Sequence, residues 1–137
     1  MSLVEKSPDP ETISSEQGSR INGIAREFIT LSGAELVLVT TTEGALIARA
    51  GEMDTTEIED VGMISALIYA AAQSIGTSIG TSVSYVHQHG DKKDLLLLRI
   101  NGNFGLMIAF DKVLGLGGIL YNARRSAVAL SQILGAT

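Results

Sequence analysis

The sequence contains no cysteine and no tryptophan, and only 4% of its 137 residues are aromatic. Without cysteine, the chain forms neither a disulfide framework nor a thiol-based active site, and a reducing compartment fits this composition. Proline is also scarce. Both prolines, Pro8 and Pro10, fall within the first 13 residues among Ser, Asp, Glu and Lys. We therefore interpret residues 1–13 as a flexible N-terminal tail and residues 14–137 as one domain.

Positive charge is limited as well. Ten Lys and Arg stand against fifteen Asp and Glu, which gives a formal net charge of −5. Because the sequence has no basic run and no combination of aromatic and basic residues, we predict no nucleic-acid partner. No basic stretch precedes an apolar one at the N-terminus, and no apolar run approaches the ~20 residues that cross a bilayer. We expect a cytoplasmic protein without a membrane-spanning segment.

Aliphatic residues, in contrast, are abundant. Hydrophobic residues make up 45% of the chain and the mean hydropathy is positive, at +0.28. A small domain of this composition is expected to leave apolar surface exposed, which favours an oligomer.

Two apolar runs, residues 95–100 and 104–110, flank Asn101-Gly102. Asn-Gly between two apolar runs predicts a hairpin with a type I′ turn, in which both central residues have positive φ. Neither run alternates between polar and apolar residues, so both faces of this hairpin must be covered. The sequence therefore predicts an antiparallel hairpin at the centre of a three-layer domain.

The remaining elements follow from periodicity and capping signals. A capping box of Ser14 with Gln17 opens a helix with an apolar stripe, and Gly33 ends it. A second capping box, Thr56 with Glu59, opens a helix over residues 57–75. The stripe of the first helix is Ile21, Ile24, Phe28 and Leu31, and that of a closing helix ending at Gly135 is Leu120, Ala123, Ala127, Leu130 and Leu134. Strands are predicted over 35–41, 45–49 and 81–89, with a loop over 50–55 and the last of these strands at a sheet edge.

The helix predicted over 57–75 is apolar on nearly all sides. From Val61 to Ala72 its polar groups are Ser65 and the Tyr69 hydroxyl. Such a helix is either deeply buried or docked on a second body. One face can cover the sheet, and we predict that the other is a dimer interface or partner site rather than a surface buried under loops.

Four further patterns suggest chemistry, and each has a simpler interpretation that we favour. His87 and His89 share a strand face and could form half of a metal site, but we expect no carboxylate or cysteine beside them and predict no metal. If that strand lies in a dimer seam, the histidines could instead make the interface pH-sensitive. The glycines of 115–118 resemble a phosphate-binding turn, although a turn that lets a helix pack closely is the better explanation.

Glu57, Glu59 and Asp60 form the only cluster of carboxylates, and in the first turn of a helix they complement its dipole. Arginine is of interest because an arginine side chain can stabilise the negative charge of a phosphoryl-transfer transition state. The candidates are Arg49, Arg99, Arg124 and Arg125. No nucleophile, base and orienting group can be assembled from the sequence, so we predict no catalytic residue, no cofactor and no enzymatic activity.

From about Ser14 to Leu134 the sequence resembles the roadblock/dynein light chain family. The order and spacing of several features carry the resemblance, rather than any single motif. These features are Gly33-Ala34-Glu35, Glu43-Gly44, the small-residue helix over 57–75, the hairpin LLLLRINGNFGLMIAFD, Leu116-Gly117 and the pair Arg124-Arg125.

The resemblance implies a profilin-like α/β (α+β) sandwich of order α-β-β-α-β-β-β-α, with five antiparallel strands, one helix on one face and two on the other. It implies homodimers, or heterodimers with a second roadblock-type chain, in which the third strands pair and the middle helices lie together. It also implies a non-enzymatic regulator of a small Ras-like GTPase, similar to the activating partner of a cell-polarity GTPase in bacteria and archaea, or a dynein-light-chain-like adaptor.

A PAS-like small-molecule sensor is the alternative, although few aromatic or buried polar residues are available to line a pocket. For the dimer or partner interface we name nine residues from the middle helix and the third strand. They are Val61, Met63, Ile64, Leu67, Ile68, Tyr69, Ala71, Val83 and Tyr85.

Overall fold

The computed structural model describes residues 13–52 and 58–135. The predicted tail, apart from Ile13, and Thr56 of the second capping box therefore lie outside the described residues. In chain order the elements are α1 (Ser15–Ser32), β1 (Leu36–Thr41), β2 (Leu46–Gly51), α2 (Ile58–Ser78), β3 (Tyr85–Gln88), β4 (Lys93–Arg99), β5 (Phe104–Asp111) and α3 (Leu116–Leu134).

The five strands form one antiparallel sheet in the order β2-β1-β5-β4-β3. Helices α1 and α3 cover one face of this sheet over a large aliphatic core that includes Phe28, Phe104 and Phe110. Helix α2 covers the other face over a smaller core that includes Leu38, Leu97 and Met107. The predicted three-layer sandwich, its element order and its edge position for β3 are confirmed.

Helix α1 begins and ends as its sequence predicts. The Ser14 side chain accepts a hydrogen bond from the Gln17 N–H at 3.0 Å, and the Gln17 side chain accepts one from the Ser14 N–H at 2.9 Å. Gly33 ends the helix with φ of 78°. The buried stripe, however, is Ile21, Ala25 and Phe28, and Leu31 is exposed. The prediction for Leu31 is wrong. The buried stripe advances by four residues and then by three, so its next position is 32. Position 31 lies about 100° around the helix from position 32 and therefore off the stripe.

The turn between β4 and β5 is not of type I′, since neither Asn101 nor Gly102 has positive φ. Instead, the Asn101 side chain accepts hydrogen bonds from the N–H groups of Asn103 at 2.8 Å and Phe104 at 3.1 Å. An Asn side chain that bonds to the following backbone in this way replaces the backbone turn and allows a longer loop. The hairpin itself is confirmed.

Three predicted boundaries differ from the structure. β2 continues to Gly51, so residues 50 and 51 belong to a strand rather than to a loop. β3 covers only Tyr85–Gln88 instead of 81–89. α2 extends to Ser78, and Gly80 in the turn after it has φ of 85°.

The glycines around the start of α3 do not allow closer packing, contrary to our expectation. A Cβ atom at Gly117 or Gly118 would meet nothing within 4 Å. Gly115 has φ of 77°, a backbone conformation that favours glycine, and α3 begins directly after it. The turn therefore needs glycine at one position for its backbone, whereas no neighbouring atom requires glycine at position 117 or 118.

Candidate functional site: the exposed face of helix α2

Helix α2 lies against the sheet through small residues. Its buried positions include Gly62, Ser65 and Tyr69, at spacings of three and four. The turn between β1 and β2 packs on the same side, because a Cβ at Gly62 would lie 3.1 Å from the Gly44 carbonyl oxygen. A Cβ at Gly44 would lie 2.6 Å from the Met63 Cα. Two glycines thus allow the backbones of the turn and the helix to approach closely.

The C-terminal half of α2 is attached to the segment that leads into β3. The Tyr69 hydroxyl donates a hydrogen bond to the Val83 carbonyl oxygen at 3.1 Å, and the Gln73 amide donates another at 3.2 Å. Gly76 lies beneath Val83, where an added Cβ would come within 2.8 Å of the Val83 side chain. These contacts fix which side of α2 faces inward.

Four large apolar side chains of α2 consequently point away from the domain. Met63 and Ile64 are each 54% exposed, Leu67 is 70% exposed and Ile75 is 63% exposed. Ala70 and Ala71 lie between them and are exposed as well. We call these six residues the exposed α2 face. At 1.5 Å per residue, the stretch from Met63 to Ile75 is about 18 Å long.

The structure brings four of the nine predicted interface residues together on this face: Met63, Ile64, Leu67 and Ala71. Val61 and Ile68 flank it, half-buried against the smaller core. The nine predicted residues did not include Ala70 and Ile75, which lie on the same face, although their helical spacing from Met63 and Leu67 is the signal that would have included them.

Three predicted interface residues lie elsewhere. Tyr69 is buried in the core beneath α2, so it is not part of the exposed α2 face. Val83 is half-buried and contributes its carbonyl group to the attachment of α2. Tyr85 packs against the core on the α1 and α3 side of the sheet. Residues 85 and 86 point to opposite faces of β3, and it is Val86 that lies on the α2 side.

Helix α2 is also, by length and composition, the one helix among the described residues that could cross a membrane. We predicted no membrane-spanning segment because the sequence contains no long uninterrupted apolar run, and that criterion does not detect α2, whose apolar residues are interrupted by a few polar ones. A single helix of this kind is weak evidence for a membrane protein. The contacts of Gly62, Tyr69 and Gln73 with the rest of the domain attach α2 to the sheet instead.

Three of the four arginines considered as catalytic candidates stack on tyrosines of their own chain. The guanidinium group of Arg99 lies 5.0 Å from the centre of the Tyr69 ring. Those of Arg124 and Arg125 lie 5.7 Å from the ring centres of Tyr85 and Tyr121, respectively. Cation–π contacts of this kind hold the side chains against the surface of the domain.

A small cavity lies between α2 and the sheet, beside Thr40, Ser65 and Tyr69. Its volume of about 30 Å³ is close to the share of liquid that one water molecule occupies. Small-molecule sites generally need about 300 Å³ or more. The space under α2 is therefore too small for the ligand of a sensor domain.

A second cluster of polar groups lies at the end of the sheet where β3 meets β4. The His87 Nε2 atom lies 2.7 Å from Oδ2 of Asp94, and the His89 Nδ1 atom lies 3.0 Å from Oδ1. The expectation that no carboxylate lies near the histidines is wrong. The antiparallel register that pairs His87 with Leu96 places Asp94 opposite His89, with the four residues 90–93 between them. This spacing allows the pairing, but only the observed register decides it.

The Asp94 carboxyl group is almost completely buried. Burial raises its pKa, but hydrogen bonds from His87, from the Gly90 N–H and from His89 outweigh that effect and lower the pKa from 3.8 to about 2. Asp94 is therefore ionised at neutral pH. Because an ionised carboxylate only accepts hydrogen bonds, both imidazole nitrogens that face it must carry the proton.

Comparison with solved structures identifies the architecture. MglB, the gliding protein from Thermus thermophilus, matches with a TM-score of 0.82 and 18% identity, over 88% of this chain and 93% of that one. A Roadblock/LC7 domain from Streptomyces avermitilis matches with a TM-score of 0.71 and 14% identity, over 82% of this chain and 96% of that one. This chain folds as a roadblock-type domain.

The roadblock-type fold is shared with a wider group. Profilin II from Acanthamoeba castellanii matches with a TM-score of 0.54 and 12% identity, over 77% of this chain and 95% of that one. The profilin-like sandwich predicted from the sequence is thus confirmed. No protein-family model and no curated protein matches the sequence.

Proposed function

We propose that this roadblock-type domain is a non-enzymatic regulator or adaptor, that it forms a homodimer through the exposed α2 face, and that it binds a small Ras-like GTPase in the cytoplasm. The observation that carries the proposal is the orientation of α2. The helix turns its glycines, Ser65 and Tyr69 inward and leaves Met63, Ile64 and Leu67 in solvent. The exposed apolar side of a helix oriented this way is expected to be covered by another protein chain.

Burial of the exposed α2 face can supply a free energy comparable to the cost of association. Completing the burial of the four large side chains, Met63, Ile64, Leu67 and Ile75, contributes roughly 1 kcal/mol or more each. In a two-fold dimer both protomers contribute, so the total is roughly 8 kcal/mol or more. Association itself costs about 4–15 kcal/mol. A second copy of the chain is therefore a suitable occupant for a face that is apolar and carries no charge.

The edge strand β3 extends the same surface. β3 pairs with β4 on one side, and no described strand pairs with its other side. Val83, just before β3, is in contact with α2 through Tyr69 and Gln73. Pairing of β3 with its copy and contact between the two α2 helices are therefore compatible in one dimer, as the roadblock resemblance implies.

The GTPase is proposed from the resemblance to the roadblock family. A dimer that docks one switch-loop state of a GTPase better than the other shifts the equilibrium between those states. Binding of this kind changes the nucleotide cycle or the localisation of the GTPase without a catalytic residue from this chain.

Leu67→Glu tests the self-association step. A charge at the centre of an apolar interface is costly to bury, so we expect this variant to be monomeric at concentrations where the natural chain is a dimer. Sedimentation equilibrium measures the two states. Leu31→Glu is the matched control, because Leu31 is 65% exposed on α1 and the substitution is the same. A Leu67→Glu variant that stays dimeric, or a Leu31→Glu variant that dissociates equally, would contradict the proposed interface.

The GTPase step is tested separately with the immobilised protein. Small Ras-like GTPases from the source genome are loaded with GDP or with a non-hydrolysable GTP analogue and passed over it. We expect one of them to be retained in a nucleotide-dependent manner, and turnover assays then show whether hydrolysis accelerates. Retention of a second roadblock-type chain alone would favour a heterodimeric adaptor. Equal retention of both nucleotide forms would remove the regulatory part of the proposal.

A further inference from the structure

We propose that His87, His89 and Asp94 form a binding site for a divalent first-row transition metal ion such as Zn²⁺. These residues lie on the α1 and α3 side of the sheet, and none of them belongs to the exposed α2 face. The ligand atoms therefore do not overlap the exposed α2 face, although His87 belongs to β3, the strand proposed to pair with its copy.

The first argument is the convergence of three ligand atoms. The two imidazole nitrogens and a carboxylate oxygen all lie within 4.8 Å of one another. In a tetrahedral site with ligand bonds of about 2.0–2.1 Å, neighbouring ligand atoms are about 3.3 Å apart. Adjustments of up to about 1.5 Å bring the three atoms to that spacing. Two histidines and one carboxylate are a donor set that zinc accepts.

The second argument is charge. The Asp94 side chain is buried, and the ionisable partners that the described part of the chain gives it are the two imidazoles. Buried carboxylates in proteins are paired with cations or coordinate metals, and no Lys or Arg among the described residues is paired with Asp94. A divalent cation would supply that partner.

The third argument is the support around the ligands. The Gly90 N–H donates a hydrogen bond to Oδ1 of Asp94 at 3.1 Å, and the His87 ring lies nearly parallel to that of Phe110 with ring centres 6.2 Å apart. Groups that orient ligands in this way strengthen metal sites. The His89 side chain is 70% exposed, which gives the ion a path from solvent and leaves a coordination position for water.

Metal binding changes the position of two protons. The Nε2 proton of His87 and the Nδ1 proton of His89 now occupy the hydrogen bonds to Asp94. A metal ion takes their place when each neutral ring carries its proton on the other nitrogen instead. Each nitrogen then donates its lone pair to the metal, and no oxidant or reductant is involved.

Calorimetric titration of the full chain with ZnCl₂ tests the proposal, after treatment with a chelator and with no histidine tag present. We expect one ion per chain, since the sequence contains only two histidines. His89→Gln and Asp94→Asn should each weaken binding at least about tenfold. His89→Gln leaves the core untouched because His89 is exposed, so it remains informative if Asp94→Asn fails to fold. Asp91→Asn removes an exposed charge from the same turn and should leave binding unchanged.

Cobalt gives a second readout that does not depend on heat. Co²⁺ bound by this donor set in four-coordinate geometry should produce visible absorption bands in the natural chain and in Asp91→Asn, but not in His89→Gln. Stoichiometric binding that His89→Gln does not weaken would overturn the proposal, as would the absence of binding to the natural chain. The role of the cluster would then be to hold the turn between β3 and β4 through hydrogen bonds.

Discussion

Gly44 shows how a single residue determines where α2 lies. It has φ of 96°, and an added Cβ would come within 2.6 Å of the Met63 Cα. Since both partners are backbone, neither can move aside without shifting the turn or the helix. We predict that Gly44→Ala destabilises the domain by about 1–3 kcal/mol, as measured by urea unfolding.

Gly23→Ala is the matched control for this prediction. Gly23 lies inside α1, and an added Cβ would meet nothing within 4 Å. Alanine is the better helix former, so this variant should be more stable by about 0.5–1 kcal/mol. If both substitutions have effects of the same sign, the contact between Gly44 and α2 does not have the role assigned to it.

Asp94 makes the stability of the folded domain depend on pH, in a direction that follows from its lowered pKa. Its pKa is lowered in the folded state from 3.8 to about 2 by the hydrogen bonds from His87, Gly90 and His89, which outweigh burial. The stabilisation is therefore fully present above the unfolded pKa and is lost as the pH falls from about 4 through 2. In urea unfolding with a chelator present, we expect Asp94→Asn to be less stable at neutral pH and to show a smaller decline over that range. An unchanged pH profile in Asp94→Asn would contradict this assignment.

At the scale of the element, α2 reverses the usual pattern of an amphipathic helix. Apart from Ile58, its buried positions are occupied by Gly62, Ser65, Tyr69 and Gly76, while the larger Met63, Ile64, Leu67 and Ile75 face outward. Small inward residues let the helix approach the β1–β2 turn and Val83 closely. The hydrogen bonds from Tyr69 and Gln73 then secure its C-terminal half.

We predict that Tyr69→Phe costs about 0.5–1.5 kcal/mol, because the hydroxyl group loses its hydrogen bond to the Val83 carbonyl and the one that it accepts from the Gln73 amide. The Gln73 amide still donates to the Val83 carbonyl, so adding Gln73→Ala removes the second side-chain donor and should cost more than either single substitution. Tyr121→Phe is the control, since its hydroxyl accepts a hydrogen bond from Arg125 on an exposed helix surface. We expect that variant to lie within about 0.5 kcal/mol of the natural chain in urea unfolding. Additive effects of the Tyr69 and Gln73 substitutions would show that the two donors act separately.

At the scale of the whole molecule, folding and assembly are linked if the exposed α2 face is a dimer interface. The melting temperature of the natural chain should then rise with protein concentration, because the dimer binds only folded protomers. The melting temperature of Leu67→Glu should not depend on concentration, whereas that of Leu31→Glu should follow the natural chain. Differential scanning calorimetry over a wide concentration range measures this. A natural chain with a constant melting temperature would indicate a monomer.

Much of the fold could be predicted because its signals are local. Capping at Ser14 and Gln17, the stop at Gly33 and the two apolar runs around Asn101 depend on neighbours a few residues away, and the structure confirms the elements that they predict. Errors occurred where the same local sequence pattern was compatible with two backbone conformations. The Asn101 side chain, for example, completes the loop by its own hydrogen bonds instead of through a type I′ turn.

The sequence by itself determined that α2 is apolar all round and that His87 and His89 share a face. Only the tertiary structure decided which side of α2 is buried, because that choice depends on the approach of Gly44 and Val83 from distant parts of the chain. It also decided that Tyr69 is inside and that Asp94 completes the histidine cluster, through the register between β3 and β4. Periodicity specifies the faces of an element, whereas the contacts between elements specify what each face meets.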